Sequence, residues 1–272
     1  MKNIILLIAF LTVIMTQAQE KVKGNREPST VITDIEVFNT IEIGGDYEVA
    51  IVKGSTAQIE ITTDSNLHAF IVPTVTNGLL TINTTARIRS KKELKIRLIY
   101  PGNLGTIVVK EKAELSTITE YESDELSIET RGDAKIFITA KVEKLTLIMK
   151  GSSNGEINFK GENATLKLED NANLKALLDY NSATITMFGK SDARVDGDMK
   201  TATVTLENRA EFDGSNLVID DLNVVISNNA NAKVNAKSNL NLKSRNDVKI
   251  ELYGTPKIVL AEFTGSSVLS KK

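Results

Sequence analysis

One short phrase recurs along this chain at a spacing near nineteen residues, and few folds can hold it. Residues 131–136 read RGDAKI, 190–195 read KSDARV, 228–234 read NNANAKV and 245–250 read RNDVKI. Aligned on a small central residue, the anchors are Ala113, Gly132, Gly151, Ala172, Ser191, Ala210, Ala230 and Asn246, with spacings of 19, 19, 21, 19, 19, 20 and 16. Gly265 follows 19 residues later as a ninth. Four and six residues before each of the first eight anchors stand apolar residues, from Ile107/Val109 through Leu166/Leu168 to Leu240/Leu242. Helical repeats run to about 33 residues or more, so this period is wrong for them. A period near 19 with strand alternation predicts an all-β chain and a β-solenoid, a single-stranded β-helix-like stack. Coils stacked about 4.8 Å apart bury in continuous columns the inner face that no coil can bury alone.

The alignment assigns inside and outside. Side chains alternate along a strand, so even offsets from the anchor point inward and odd offsets outward. Two residues after the anchors come Leu115, Ala134, Ser153, Leu174, Ala193, Phe212, Ala232 and Val248, most of them apolar. One residue before lie Lys112, Arg131, Lys150, Asn171, Lys190, Arg209, Asn229 and Arg245; one residue after lie Glu114, Asp133, Ser152, Asn173, Asp192, Glu211, Asn231 and Asp247. This predicts a column of cations beside a column of anions and amides, with asparagine tolerating left-handed corners and able to hydrogen-bond along the stack. Neighbouring opposite charges offset the repulsion of stacked like charges. Two readings follow: a solvated, charge-balanced face, or a polar docking strip for a glycan or cell-envelope protein, with Arg131, Asp133, Lys190, Asp192, Arg209, Glu211, Arg245 and Asp247 as its binding residues.

The rest of the chain sets the context. Lys2, the apolar run at 4–14 (IILLIAFLTVI) and Thr16-Gln17-Ala18 predict a signal peptide over 1–18. Its removal takes away only Lys2 among charged residues, moving the net charge from −2 to −3. An exported protein with no cysteine cannot use disulfides and must rely on its core. With no Trp and 5% aromatics, that core is Val, Ile, Leu and Ala. Residues 19–30 read as a flexible polar segment. From 31 to 105 the chain reads as a hairpin-rich β portion, with strands near 40–43, 47–52, 58–62, 71–75, 79–83 and 94–100 parted by Gly44-Gly45, Lys53-Gly54-Ser55 and Thr76-Asn77-Gly78. Residues 106–268 are the solenoid and 269–272 a tail.

Several stretches resemble the bacterial head GIN domain family of autotransporter-adhesin heads. Residues 38–45 (FNTIEIGG) with 47–51 (YEVAI) resemble its opening, and 78–82 (GLLTI) its hairpin. Gly132-Asp133-Ala134 and Gly151-Ser152-Ser153 resemble its small-residue turns; Tyr253-Gly254-Thr255-Pro256 and Thr264-Gly265-Ser266 resemble its close. The resemblance spans about 38–268 and implies an exported β-solenoid with adhesin-like binding. It transfers no catalytic residue, and several of the family's corner glycines are Ala, Ser or Asn here.

Other chemistries find little support. No nucleotide-binding glycine loop, HExxH or GxSxG occurs, and one His with no Cys excludes zinc sites of the usual kind, so neither cofactor nor metal is expected. His68 reads as an exposed loop residue. The oxygen-rich runs at 169–171 and 220–221 lack calcium-loop spacing. Nucleic acid would require a basic face with interleaved aromatics, and none is found. An anionic membrane surface is disfavoured by the balanced charges, and no membrane insertion is expected once the signal is cleaved. The enzyme alternative is a carbohydrate-active enzyme using Asp192 and Glu211 on adjacent coils, about 5 Å apart by strand spacing and so near the carboxylate separation of retaining glycosidases. The third alternative is a structural envelope protein. Localisation reads as periplasmic, cell-surface or secreted.

Overall fold

The computed structural model describes residues 21–272; the predicted signal peptide and cleavage site lie outside the described residues. The chain is a β-solenoid. Six long strands, Lys135–Met149, Asn154–Leu168, Asn173–Met187, Asp192–Leu206, Glu211–Ser227 and Asn231–Arg245, each make most of one coil and pair in parallel with the coils on either side.

Each coil turns at two corners. At the first, a residue takes a left-handed conformation: Glu111, Gly132, Gly151, Asp170, Gly189, Asn208, Asn228, Asn246 and Gly265, with φ between 59° and 78°, and Asn229 after Asn228 takes it too. Only glycine adopts this region freely; Asn and Asp tolerate it through local hydrogen bonds. The following N–H then donates one coil back to the preceding corner's carbonyl, as Ser152 N does to Gly132 O at 2.8 Å and Lys190 N to Asp170 O at 2.7 Å. At the second corner the pairing skips Glu162, Asn181 and Lys200. Burial changes parity there: Leu174, Leu178 and Tyr180 are buried before the skip, Ala183, Ile185 and Met187 after it. Two consecutive outward residues let a single extended strand turn the corner, so the coil has two faces with one core between them.

That core is continuous from Phe38 to Leu252. Beside the left-handed corner runs a column of small buried residues, Ala113, Ala134, Ser153, Ala172, Ser191, Ala210 and Ala230. Larger columns fill the two faces, such as Ile128, Leu147, Leu166, Ile185 and Val204, in register from coil to coil. Full burial of each such side chain contributes about 1.5–3 kcal/mol.

The register corrects the alignment read from sequence. The anchors at Gly132, Gly151 and Asn246 sit at the left-handed corner itself, whereas Ala113, Ala172, Ser191, Ala210 and Ala230 lie two residues beyond it. Thus Ile107 stacks on Ile128 rather than on Leu126, and the true corner spacings are 21, 19, 19, 19, 19, 20, 18 and 19. A slip of two leaves every side chain on its own face. Burial was therefore assigned correctly while the columns were not.

The two ends also depart from expectation. Residues 19–30 were expected to be flexible, but Lys21–Lys23 pairs with Arg87–Ser90, and Pro28–Asp34 pairs antiparallel with Gln58–Asp64. Polar composition hid these strands because they cap an end and have only one neighbour. The expected tail carries the strand Val268–Lys271, paired with Lys249–Tyr253. In the N-terminal portion, Thr40–Ile43 and Glu48–Lys53 stack in parallel beneath Thr106–Val109 and Glu114–Thr117, forming a rung of the same solenoid. Leu79–Thr84 and Leu94–Tyr100 form the rung below. Ile71–Thr76 and Gln58–Asp64 then close that end in the antiparallel sense. His68, expected to be exposed, is half-buried in a 3-10 turn, and its Nε2 lies 3.0 Å from Ser29 Oγ.

Candidate functional site

The corrected register redistributes the polar residues singled out from the sequence. Asp133, Ser152, Asn171, Lys190 and Arg209 occupy one column, the position after the left-handed corner, each N–H donating to the previous corner's carbonyl. Arg131, Lys150 and Glu169 stack in the column before the corner, and Arg245 pairs in register with Ser227 in that same column. Asp247 follows the corner residue Asn246 and so joins the Lys190 column. The expected column of cations beside a column of anions is therefore not formed. Asp133 and Asp247 share a column with Lys190 and Arg209, while Arg131 and Arg245 stand apart from them.

These charges are paired locally. Arg131 Nε donates to Glu129 Oε1 at 2.9 Å, and Lys150 Nζ lies 3.3 Å from the same oxygen. The hydrogen bond from Arg131 holds the Glu129 carboxyl below the usual range against its partial burial. Arg245 donates to Glu262 through Nε and Nη2 at 2.6 and 2.7 Å. The corner amides form the expected ladder at one step, Asn246 Nδ2 donating to Asn228 Oδ1 at 2.5 Å. Exposed pairs of this kind are worth about 0–1 kcal/mol each.

Asp192 and Glu211 do lie in register on adjacent coils, both exposed. Partial burial pushes the Asp192 carboxyl up, helped by the negative charges of Glu211 and Asp213. Next to them is a depression of about 450 Å³ lined in part by Arg194, Asp213, Asn231, Lys233 and Glu251. Asp213 is held below its usual range: burial would raise it, but hydrogen bonds from Ser215 and Lys233 outweigh burial. His68 is confined to the N-terminal end and bonds to Ser29. Among the described residues no group of three or more His, Asp or Glu is placed to hold a metal.

A larger depression, about 660 Å³, lies on the same outer face and shares Arg194 with the first. Its floor is the outward row Phe137, Glu156, Lys175 and Arg194, one residue from each of four successive coils, with Thr139, Asn158, Leu177 and Asp196 alongside. The charges are paired locally: Lys175 Nζ is 3.3 Å from Glu156 Oε1 in the row, and Arg194 Nε is 3.8 Å from Asp196 Oδ1 beside it. Phe137 and Leu177 point outward, 38% and 48% exposed. At the upper edge the sheet register breaks around Gly214, where Asp213 Oδ1 accepts from Ser215 N and Oγ. Such bulges re-aim side chains beside binding sites. Sequence reasoning missed this face, although one signal was present. Phe137 and Leu177 are large apolar residues at outward parity, a cost to solubility that the core does not require.

Comparison with known proteins agrees with the architecture. The family model described as "Putative auto-transporter adhesin, head GIN domain" matches residues 37–162 and again 152–256. A "putative adhesin" from Parabacteroides merdae is similar at 21% identity and a TM-score of 0.69, over 93% of this chain and 99% of that one. A "putative adhesin" from Parabacteroides distasonis is similar at 19% identity and a TM-score of 0.69, over 93% of this chain and 98% of that one. A "Putative lipid binding protein" from the same species has 17% identity and a TM-score of 0.68, over 93% of this chain and 100% of that one. At such identities the likeness shows the fold alone. No curated protein matches the sequence.

Proposed function

We propose that this chain, which belongs to the head GIN domain family, is an exported adhesin-like module that binds an extended glycan along its outer face. The observation that carries this reading is the row of Phe137, Glu156, Lys175 and Arg194 with Leu177 and Asp196 beside it. A sugar offers an apolar ring face and a rim of hydroxyls. An exposed aromatic ring can stack on the first, and carboxylate, ammonium and guanidinium groups can hydrogen-bond the second. The row repeats at the coil spacing, about 4.8 Å, close to the length of a sugar unit in an extended chain. A regular solenoid face thereby offers successive contacts to successive sugars. Export rests on the apolar segment at 4–14 and on the auto-transporter adhesin description of the family. Among the described residues no helix is long and apolar enough to cross a membrane.

A glycan-array experiment tests the reading, with Phe137→Ala/Arg194→Ala and the corner variant Lys190→Ala/Arg209→Ala alongside. Binding to defined glycans that is lost in the first variant and kept in the second assigns the outer face. Loss in the second alone moves the site to the corner. Absence of binding across the array sinks the glycan reading and leaves protein partners. The carbohydrate-active alternative draws on the raised carboxyl of Asp192 beside Glu211. It predicts turnover of a bound glycan that disappears in Asp192→Asn or Glu211→Gln while binding persists.

A further inference from the structure

The C-terminal end of the solenoid is unfinished. Ile258 and Leu260 stand in register with Leu240 and Leu242, in columns that are buried at every coil below. Leu242 is 0% exposed and Leu260 is 49% exposed, and among the described residues no strand is stacked on the outer edge of Lys257–Phe263. Phe263 and Val268 are likewise exposed on this end. An open parallel edge over an uncovered core is a template for another strand, and repeat stacks require a cap at such ends. The N-terminal end, by contrast, is closed by Pro28–Asp34, Gln58–Asp64 and the 3-10 turn Ser65–Phe70.

We propose that this end is covered by the same end of a second copy, in a two-fold dimer whose Lys257–Phe263 strands pair antiparallel. The edge strand reads KIVLAEF, with the cation Lys257 at its start and the anion Glu262 one residue before its end. Antiparallel self-pairing sets each end against the opposite one, so the strand is complementary in charge to itself. Side-chain parity selects the register. Ile258 opposite Leu260 of the second copy puts apolar residues against the core, and Val259 then meets its own symmetry mate on the outside. Ala261 is an extra residue relative to the coil below, since Leu242 pairs with Leu260 and Lys243 with Glu262. This bulge brings Glu262 to the same face as Lys257 of the second copy, because two residues on a bulged strand oppose one on its partner. Glu262 would then lie between that lysine and its own Arg245. The N-terminal end is bounded by a different edge, Pro28–Asp34, which exposes Val31 and Ile32 but carries no cation to meet Glu262, so the charge-complementary contact is isologous and ends at two copies. Such a dimer doubles the outer faces available to a multivalent partner, which raises avidity without a new contact.

The test is sedimentation velocity of the protein expressed from the full sequence, over a concentration series, with variants whose fold is checked by circular dichroism. A discrete dimer is expected, weakened on the order of tenfold or more by Leu260→Lys at the centre of the contact. Val259→Cys supplies the positional readout. The chain has no other cysteine, and facing residues of an antiparallel pair stand about 4.5–5.5 Å apart at Cα, within disulfide reach. Oxidation of V259C should give a covalent dimer, and Lys249→Cys should not. A monomer at all concentrations, open-ended growth beyond two copies, or a dimer indifferent to Leu260→Lys and not cross-linked through V259C would each overturn the proposal.

Discussion

The two ends of this solenoid solve one problem differently. At the N-terminal end the chain reverses and lays antiparallel strands across the last parallel rungs. It then ties them with hydrogen bonds between side chains and backbone. Buried Asp64 accepts from Arg26 N at 3.1 Å and Lys92 N at 3.2 Å, Thr63 Oγ1 donates to Glu93 O at 3.0 Å, and Asn66 Nδ2 donates to Lys23 O at 2.9 Å. At the C-terminal end the same core columns run out uncovered. A parallel stack contains no instruction to stop, because each rung presents the next with the surface it was itself built on. Stopping requires a change of strand sense with its own hydrogen bonds, or another molecule.

The largest expected effect compares two leucines in direct register. Leu242→Ala removes a fully buried side chain and should destabilise by about 2–5 kcal/mol in denaturant unfolding. Leu260→Ala, one rung higher, should cost less than about 1 kcal/mol at concentrations where the chain is monomeric, because half of that side chain is already in water. Equal losses would mean the C-terminal end is covered from within the chain. The N-terminal counterpart is Asp64→Ala. It leaves the Arg26 and Lys92 N–H groups without their acceptor, at about 1–3 kcal/mol for each that stays buried. Contacts in a repeat stack are between neighbours, so amide hydrogen exchange should quicken over 58–64 and stay unchanged above Asn231. Quickening along the whole stack would show that the cap is not a separate cooperative unit.

A smaller effect separates the corners near each end. Glu111 holds a left-handed φ of 61° without being glycine, a strain of about 1–3 kcal/mol. Glu111→Gly should relieve it and, after the added freedom of the unfolded chain, gain up to about 1 kcal/mol in thermal or denaturant unfolding. Gly265→Ala should do the reverse. Its φ is 72°, and the new Cβ would lie 2.7 Å from Asn246 Cα, closer than folded backbones allow. Loosening of the last rung would appear as faster exchange in Val268–Lys271.

How much of this was legible in the sequence depends on which symmetry carried the signal. Strand alternation has a period of two, so Leu126, Leu145 and Ile185 announced their burial whatever the register. The two-residue slip between Ala113 and Gly132 is invisible to that alternation, because either alignment buries the same residues. What the structure adds is the left-handed conformation shared by Glu111, Asp170 and Asn208 with the corner glycines, and residue type alone does not mark Glu111. The outer row depended on correct columns, since Glu156 and Lys175 become neighbours only once coils are in register. The lower rungs were hidden for another reason. Thr40 stacks on Leu79 and Glu48 on Lys95, spacings unlike any period in the chain, because the order of rungs there runs against the order of sequence.

The smallest expected effect lies between the two ends and serves as their control. Asp192 has its folded pKa raised, by burial first and by Glu211 and Asp213 second. The native state therefore holds that proton more tightly than the unfolded chain does. This group costs stability as pH rises from the ordinary aspartate range through the raised value, and the full cost persists at neutral pH. Asp213, lowered on balance by Ser215 and Lys233, has the opposite sign: its contribution is present above the unfolded value and is lost as pH falls through the folded one. Asp192→Asn should accordingly stabilise slightly at neutral pH and make no difference in strong acid, while Asp213→Asn should destabilise at neutral pH. Both groups are largely solvated, so each effect should stay below that of the corner glycines. Unfolding midpoints measured across acid to neutral pH give the signs. If both variants move stability the same way, the opposed carboxyls are not set by the neighbours the geometry names. If either changes exchange at Gln58–Asp64 or Val268–Lys271, coupling travels farther along the stack than contacts between adjacent coils can carry it, and the two ends could no longer be treated as independent.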